Sequence, residues 1–166
     1  MSTLNVTTIQ DSAAAFEHAR LVQVVTSSYN THTTTTTTVP ADNTVPLITE
    51  GVELLTLAIT PTNASNTLII KWDVPIDTNS STGRDSYTLF KDSGTCLAIC
   101  IKEQPSSGYG SGLSMTHVIA AGSTSEQTFR IRFACNGSGT AEINGIGGAV
   151  YGGTSHAVLT IMEIRA

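Results

Sequence analysis

Two glycine-rich stretches in the chain come close to motifs that carry chemistry. GYGSG resembles the Gly-x-Ser-x-Gly turn that presents a nucleophilic serine, but Tyr109 stands where the first glycine is needed. GIGGAVYGG resembles the phosphate-binding pattern Gly-x-Gly-x-x-Gly, but Val150 occupies the position of the last glycine. Neither stretch therefore predicts a nucleophile or a phosphate site.

Carboxylate pairs are the remaining residues whose types suit catalysis. Asp73 with Asp77, or Glu50 with Glu53, could in principle provide the acid and base that cleave a glycan. Nothing in the sequence fixes the separation of either pair. The chain also lacks the internal repeat of the long β-helices that often carry such enzymes. We interpret the pairs as surface carboxylates and expect the protein not to be an enzyme.

Metal ligands and disulfides are also not indicated by the spacing of histidines and cysteines. The four histidines lie in separate segments, so no two have ligand spacing. Cys96 and Cys100 lie in TCLAICI, where four strand residues separate their backbones by about 13 Å, too far for a disulfide. Cys135 follows a strand and is predicted to be a small buried hydrophobe. We expect no metal, no cofactor and a reducing compartment. The histidines are His18, His32, His117 and His156.

Composition excludes two classes of partner. Charged residues make up 13% of the 166 residues, the net charge is −5, and the eight lysines and arginines are scattered, so no basic stripe exists to bind nucleic acid. No run approaches the 18 apolar residues of a membrane helix, and MSTLNVTTIQDS lacks the basic and apolar parts of a signal peptide. We expect a protein made in a cytoplasm.

The elements that would position any site are strands. Alternation of apolar and polar residues predicts about ten of them, separated by Gly-, Ser- and Asn-rich turns. Such a series, without intervening helices, predicts an all-β fold of two antiparallel sheets, a jelly-roll sandwich. One short helical candidate, QDSAAAFEHARL, precedes the strands. The strand segments are RLVQVVTSSY, TTTTTTV, VELLTLAITP, TLIIKWDVP, SYTLFK, TCLAICI, LSMTHVIAA, QTFRIRFA, TAEING and HAVLTIMEI.

The alternation also predicts which side of each strand is buried. TLIIKWDV places Trp72 on the core side and Lys71 on the other, and QTFRIRFA opposes Phe133 to Arg132. HAVLTIMEI is only partly in phase, which predicts a central strand buried on both faces. The six threonines from Thr33 to Thr38 are β-branched, so we interpret the run as a strand at a sheet edge or between subunits and not as a linker.

The order of these segments resembles that of tail-fibre and virion structural proteins of tailed bacteriophages. The resemblance lies in MSTLNVTTIQD, the Thr-rich strand, VELLTLAITPTNASNTLIIKWDV, the hairpin SYTLFKDSGTCLAI and the closing GGTSHAVLTIMEI. It implies a homotrimeric head domain similar to those of tumour-necrosis-factor and complement proteins, carried on a virion and made in the host bacterial cytoplasm. In such families the three subunits associate through one sheet each.

The resemblance also implies a division of the chain, and the side chains of the predicted loops indicate a set of contact residues. Residues 1–18 would be an anchoring and assembly segment, in which Leu4, Val6 and Ile9 add to another virion protein, and residues 19–166 the jelly-roll head. Candidate receptor or subunit contacts are Arg84, Tyr109 and Tyr151, which lie in predicted loops. Two roles remain open: a short capsid fibre or decoration, and a tail-fibre tip that binds a host-surface glycan. A soluble lectin- or cytokine-like module is a further alternative.

Overall fold

A computed structural model of the protein describes residues 21–78, 83–104, 111–136 and 139–166. These residues form ten strands and one short 3-10 turn, so the predicted all-β class is confirmed. The helical candidate before residue 21 lies outside the described residues. The strands are β1 (Leu21–Tyr29), β2 (Thr33–Thr35), β3 (Val52–Ile59), β4 (Thr67–Thr78), β5 (Gly83–Lys91), β6 (Thr95–Gln104), β7 (Ser111–Ala120), β8 (Gln127–Cys135), β9 (Ala141–Ile143) and β10 (Ala157–Ile164); the turn is Tyr151–Gly153.

The strands pair as a single rolled hairpin. β1 pairs with β10, β2 with β9, β3 with β8, β4 with β7 and β5 with β6, all antiparallel, so every pair encloses the next. Cross-pairing of β10 with β4 and of β8 with β5 closes these hairpins into two sheets. The front sheet has the order β1-β10-β4-β7, with β2 and β9 extending it, and the back sheet has the order β3-β8-β5-β6. This nesting is the jelly-roll topology that the sequence predicts.

The core lies between the two sheets and follows the predicted alternation. On β4, Trp72 and its alternate neighbours are buried, and on β8 Phe133 and its alternate neighbours are buried opposite them. Strand β10 is central, as predicted, because it pairs with both β1 and β4. Its second face is half-buried instead of buried, since Val158, Thr160 and Met162 point away from the core.

The back sheet has a third layer over its outward side. Ser86, Thr88 and Phe90 alternate with core residues of β5, so they point away from the core, yet all three are fully buried. Residues 36–51 lie against the neighbouring strand β8 on this side: Cys135 N–H donates to the Thr37 carbonyl at 2.8 Å, and Arg132 donates to the Glu50 and Gly51 carbonyls. The chain thus covers part of one sheet with its own backbone, while Ile99 and Ile101 of β6 remain exposed on that side.

The threonine run connects the two sheets. Thr33–Thr35 form β2 and pair with β9 at the edge of the front sheet, so the predicted edge position is confirmed. The prediction of a strand through Val39 was too long. Beyond Thr35 the chain leaves the front sheet and reaches the end of β8, where the Val39 N–H donates to the Asn136 side chain at 2.9 Å.

The three cysteines are free thiols in the structure. Cys96 and Cys100 lie on β6, and Cys135 ends β8 with its side chain fully buried, so the prediction of a buried residue at a strand end is confirmed. Burial raises the pKa of the Cys135 thiol. The turn between β5 and β6 has a positive φ at Gly94.

Candidate functional site

The two ends of the sandwich are defined by the two ends of strand β1. β1 begins at Leu21 opposite Ile164, near the C-terminus, and we call this end the base. β1 finishes at Tyr29 opposite Ala157, and we call this opposite end the loop end. With nine residues at about 3.3 Å each, the two ends of β1 are roughly 30 Å apart.

Two of the three predicted contact residues lie at the loop end. Arg84 is near the start of β5, and Tyr151 lies in the turn before β10. Arg84 belongs to the back sheet and Tyr151 to the turn that leads into the front sheet, so the structure brings them to one end of the molecule without forming a single pocket from them. Tyr109 and the predicted anchoring residues Leu4, Val6 and Ile9 lie outside the described residues.

Tyr151 is held in an exposed turn. Its side chain is 77% exposed and its φ is +52°, a conformation that bulky residues rarely adopt. The Thr154 hydroxyl and backbone N–H both donate to the Tyr151 carbonyl, at 2.8 and 3.2 Å. These bonds fix the backbone of the turn, and the exposed ring can contact another molecule.

Arg84 is committed to an ion pair. Its guanidinium lies 2.9 Å from the Glu103 carboxylate across the β5–β6 pair, and both side chains are exposed. An exposed pair of this kind contributes about 0–1 kcal/mol, so it leaves the guanidinium accessible.

The loop that carries Tyr151 rests on a buried polar support. Glu142 of β9 is almost fully buried and accepts hydrogen bonds from the Gly147 N–H at 2.8 Å and pairs with His32 at 3.0 Å. Asn144 donates to the Tyr29 and Thr31 carbonyls. These contacts fix residues 144–148 to the β1–β2 connection. His32 therefore has a structural partner that its sequence position did not reveal.

A second candidate surface is the outward side of the front sheet, formed by β1, β10, β4 and β7, which we call the open face. In contrast to the back sheet, the described residues place no covering layer over it. Near the base its cross-strand rows are apolar except for Thr67, and three of its side chains are conspicuously exposed: Leu21 at 52%, Val24 at 46% and Val118 at 57%. The two rows are Leu21, Ile164, Thr67 and Ala120, and Val24, Met162, Ile69 and Val118.

The upper rows of the open face are polar but neutral. Lys71 and Asp73 pair at 2.6 Å and are the charged residues in these rows. Partial burial raises the pKa of Asp73, but hydrogen bonds from Lys71 and Ser114 outweigh that effect and lower it below its ordinary value. The carboxylate therefore stays ionised and paired. The open face was not predicted from the sequence. Apolar residues on both sides of the strands TLIIKWDV and HAVLTIMEI nevertheless indicate it.

Two of the carboxylates considered for catalysis lie in ion pairs. Asp73 is paired with Lys71, and Glu53 lies 3.4 Å from Arg130 and 3.8 Å from Arg132. Within the described ranges, no three His, Cys, Asp or Glu side chains group as metal ligands. In that same part of the chain no helix has the length and apolarity to cross a bilayer.

Comparison with known proteins concerns the fold. No protein-family model matches the sequence. No curated protein matches it either. Two solved viral structures are similar in fold: that of infectious bursal disease virus strain Gx, at 13% identity, and that of the infectious bursal disease virus VP2 subviral particle, at 15%. Each has a TM-score of 0.41 and covers 87% of this chain, which spans 38% of the length of either. The class of protein that the strand pairing defines is an antiparallel jelly-roll sandwich.

Proposed function

We propose that this chain is a non-catalytic structural protein of a tailed-bacteriophage virion that assembles as a homotrimer. It serves as a short capsid fibre or decoration, or as a tail-fibre protein, used for attachment. Its partners are two further copies of itself and other virion proteins.

The observation that carries the proposal is the difference between the outward sides of the two sheets. On the back sheet the outward side of β5 is buried and residues 36–51 lie against β8, although Ile99 and Ile101 of β6 stay exposed; on the open face no described segment lies over the apolar rows. Exposed apolar patches of this kind are typical of assembly surfaces. The two rows near the base contain no charged side chain, so a second copy that packs against them meets no net charge.

The direction of the chain supports an attached protein. Residues 1–20 join β1 at the base, while Arg84 and Tyr151 lie at the loop end. An anchor at the base would therefore direct the loops away from the particle surface. This arrangement suits a protein that is fixed at one end and exposed at the other.

Measurement of mass in solution tests the assembly. We expect about 52 kDa, three times 17.4 kDa, by light scattering after gel filtration. Val24→Lys should weaken association more than about 100-fold, because it places an unpaired charge in the contact. Ile101→Lys is the matched control, since Ile101 is 48% exposed on the back sheet and Val24 is 46% exposed on the front. A monomeric parent protein, or dissociation by Ile101→Lys alone, would contradict the proposal.

Location on the particle tests the virion role. Gold-labelled protein imaged on purified particles should appear at the capsid or the tail, and this image would separate the two forms of the proposal. Absence of the chain from purified particles would refute both.

A tail-fibre tip that binds a host-surface glycan is the second candidate function. It is favoured by Tyr151, whose ring the turn holds 77% exposed at the end opposite the base. Purified protein should then compete with particles for adsorption to host cells, and Tyr151→Ala should reduce that competition. Unchanged adsorption in the presence of excess protein would favour the capsid role.

A further inference from the structure

A groove of about 370 Å³ lies at the loop end of the open face, between β4, β7 and the residue before β10. Pro75 and Gly112 are opposite one another in the β4–β7 register, and Asp73 is opposite Ser114 one row below. His156 borders the groove from the β10 side. The groove therefore spans the uppermost rows of the face, away from the apolar rows near the base.

Gly112 creates the opening. A Cβ placed on Gly112 would meet no atom within 4 Å, and the φ of this residue is not positive. The backbone therefore does not require glycine here, and the missing side chain leaves space next to Pro75. A larger residue would fill the groove without straining the strand.

The groove offers hydrogen-bond acceptors without net charge. The Asp73 carboxylate is 45% exposed and is neutralised by Lys71 at 2.6 Å. The Ser114 hydroxyl donates to the same carboxylate. An anion would be repelled by Asp73, and a cation would compete with Lys71, so the groove suits a neutral ligand that donates hydrogen bonds.

His156 adds a second acceptor. Its Nδ1 lies 3.0 Å from the Thr154 carbonyl, which can only accept, so Nδ1 carries the proton in this contact. In the neutral ring Nε2 is then an acceptor. The imidazole and the Pro75 ring add apolar surface beside the two acceptors.

We propose that this groove binds one pyranose unit of a neutral saccharide. Adjacent sugar hydroxyls donate to the Asp73 carboxylate and to His156 Nε2, and the apolar face of the sugar ring packs against Pro75 in the space above Gly112. The proposal deepens the glycan-binding form of the proposed function and rests on it.

Ligand-observed NMR with methyl glycosides of glucose, galactose, mannose and N-acetylglucosamine tests the proposal on the full-length protein. At least one glycoside should show saturation transfer, and titration with it should shift the amide signals of Gly112 and Ser114. Gly112→Leu should abolish the transfer, and Asp73→Asn should weaken binding about tenfold, because it removes a charged acceptor. Ser125→Leu places the same leucine side chain on an exposed turn at the base and should change nothing.

Binding by none of the four glycosides would overturn the inference, as would binding that survives Gly112→Leu in a folded variant. If Gly112→Leu does not fold, the amide shifts of the parent protein and the Asp73→Asn titration decide instead. The outcome is separable from the proposed function, since trimer mass and presence on particles are measured without sugar.

Discussion

Glu163 shows how a single residue holds the base of the sandwich together. It occupies a core position of β10 and is fully buried, and its carboxylate accepts hydrogen bonds from three side chains and two backbone N–H groups. Asn66 donates at 2.6 Å, Gln23 at 2.6 Å, and Thr62 through both its hydroxyl and its N–H at 2.8 Å. The carboxylate therefore ties the β3–β4 turn and β1 to the last strand.

Glu163→Gln should destabilise the protein by about 2–3 kcal/mol at neutral pH. The new amide would direct a donor at Gln23, which cannot invert its own amide because its Nε2 also donates to the Thr60 carbonyl at 2.8 Å. Glu126→Gln removes the same charge at an exposed position and should have little effect. Equal urea midpoints for the two variants would contradict this account of Glu163.

Glu163 should also contribute to acid unfolding. Burial raises its pKa, but the bonds from Asn66, Gln23 and Thr62 outweigh burial and lower it from 4.5 to about 2. A carboxyl whose pKa is lower in the folded state stabilises the protein above pH 4.5, and this contribution is lost as the pH falls towards 2. Urea denaturation between pH 7 and pH 2 should therefore show a smaller loss of stability in Glu163→Gln than in the parent. Parallel curves would exclude this role.

At the scale of elements, the position of residues 36–51 depends on a glycine at the point where they join β3 of the back sheet. Gly51 joins residues 36–51 to β3 with φ +67°, and a Cβ there would lie 2.7 Å from the Phe133 carbonyl oxygen. The close approach allows Arg132 to donate to the Gly51 carbonyl at 2.7 Å. The covering layer thus requires a residue without a side chain at this point.

Gly51→Ala should cost clearly more stability than Gly122→Ala. Gly122 has nearly the same φ, +70°, but a Cβ there would meet nothing within 4 Å, so its substitution costs only the left-handed conformation, about 1–2 kcal/mol. Gly51→Ala adds a backbone clash and should cost about 2 kcal/mol more. Thermal or urea unfolding of both variants measures the difference. Equal losses of stability would show that the backbone clash at Gly51 does not destabilise the protein.

At the scale of the whole molecule, the base, the open face and the loop end form a directional unit. The chain enters at the base, the apolar rows lie beside that entry, and the exposed loops lie roughly 30 Å away at the far end. Assembly through the lower open face would leave the loop end exposed. One domain can therefore be fixed, assembled and exposed through separate parts of its surface.

Deletion of residues 1–11 should leave a folded trimer that no longer joins virions. Those residues include Leu4, Val6 and Ile9, which are too few to form a core but suited to adding to the sheet edge of another protein. Light scattering should give three times the mass of the shortened chain, and particle incorporation should be lost. Normal incorporation of the shortened protein would place the anchor elsewhere.

The sequence by itself determined the strands, their buried sides and the fold class. Alternation has a period of two residues, so Trp72 and Phe133 could be assigned to the core and Lys71 and Arg132 to the outside from neighbouring residues alone. The edge position of the threonine run followed from side-chain chemistry. These inferences use only neighbouring residues, so they require no knowledge of how distant parts of the chain pack.

Only the tertiary structure decided which outward faces are covered. Thr88 and Phe90 point outward and are buried, whereas Val24 and Val118 point outward and are exposed, and nothing local distinguishes the two cases. The difference arises because residues 36–51 cross one sheet and not the other. The contacts of Glu163 and the groove beside Gly112 likewise join residues that are distant in sequence. Such contacts depend on pairing between strands at opposite ends of the chain, which local alternation does not specify.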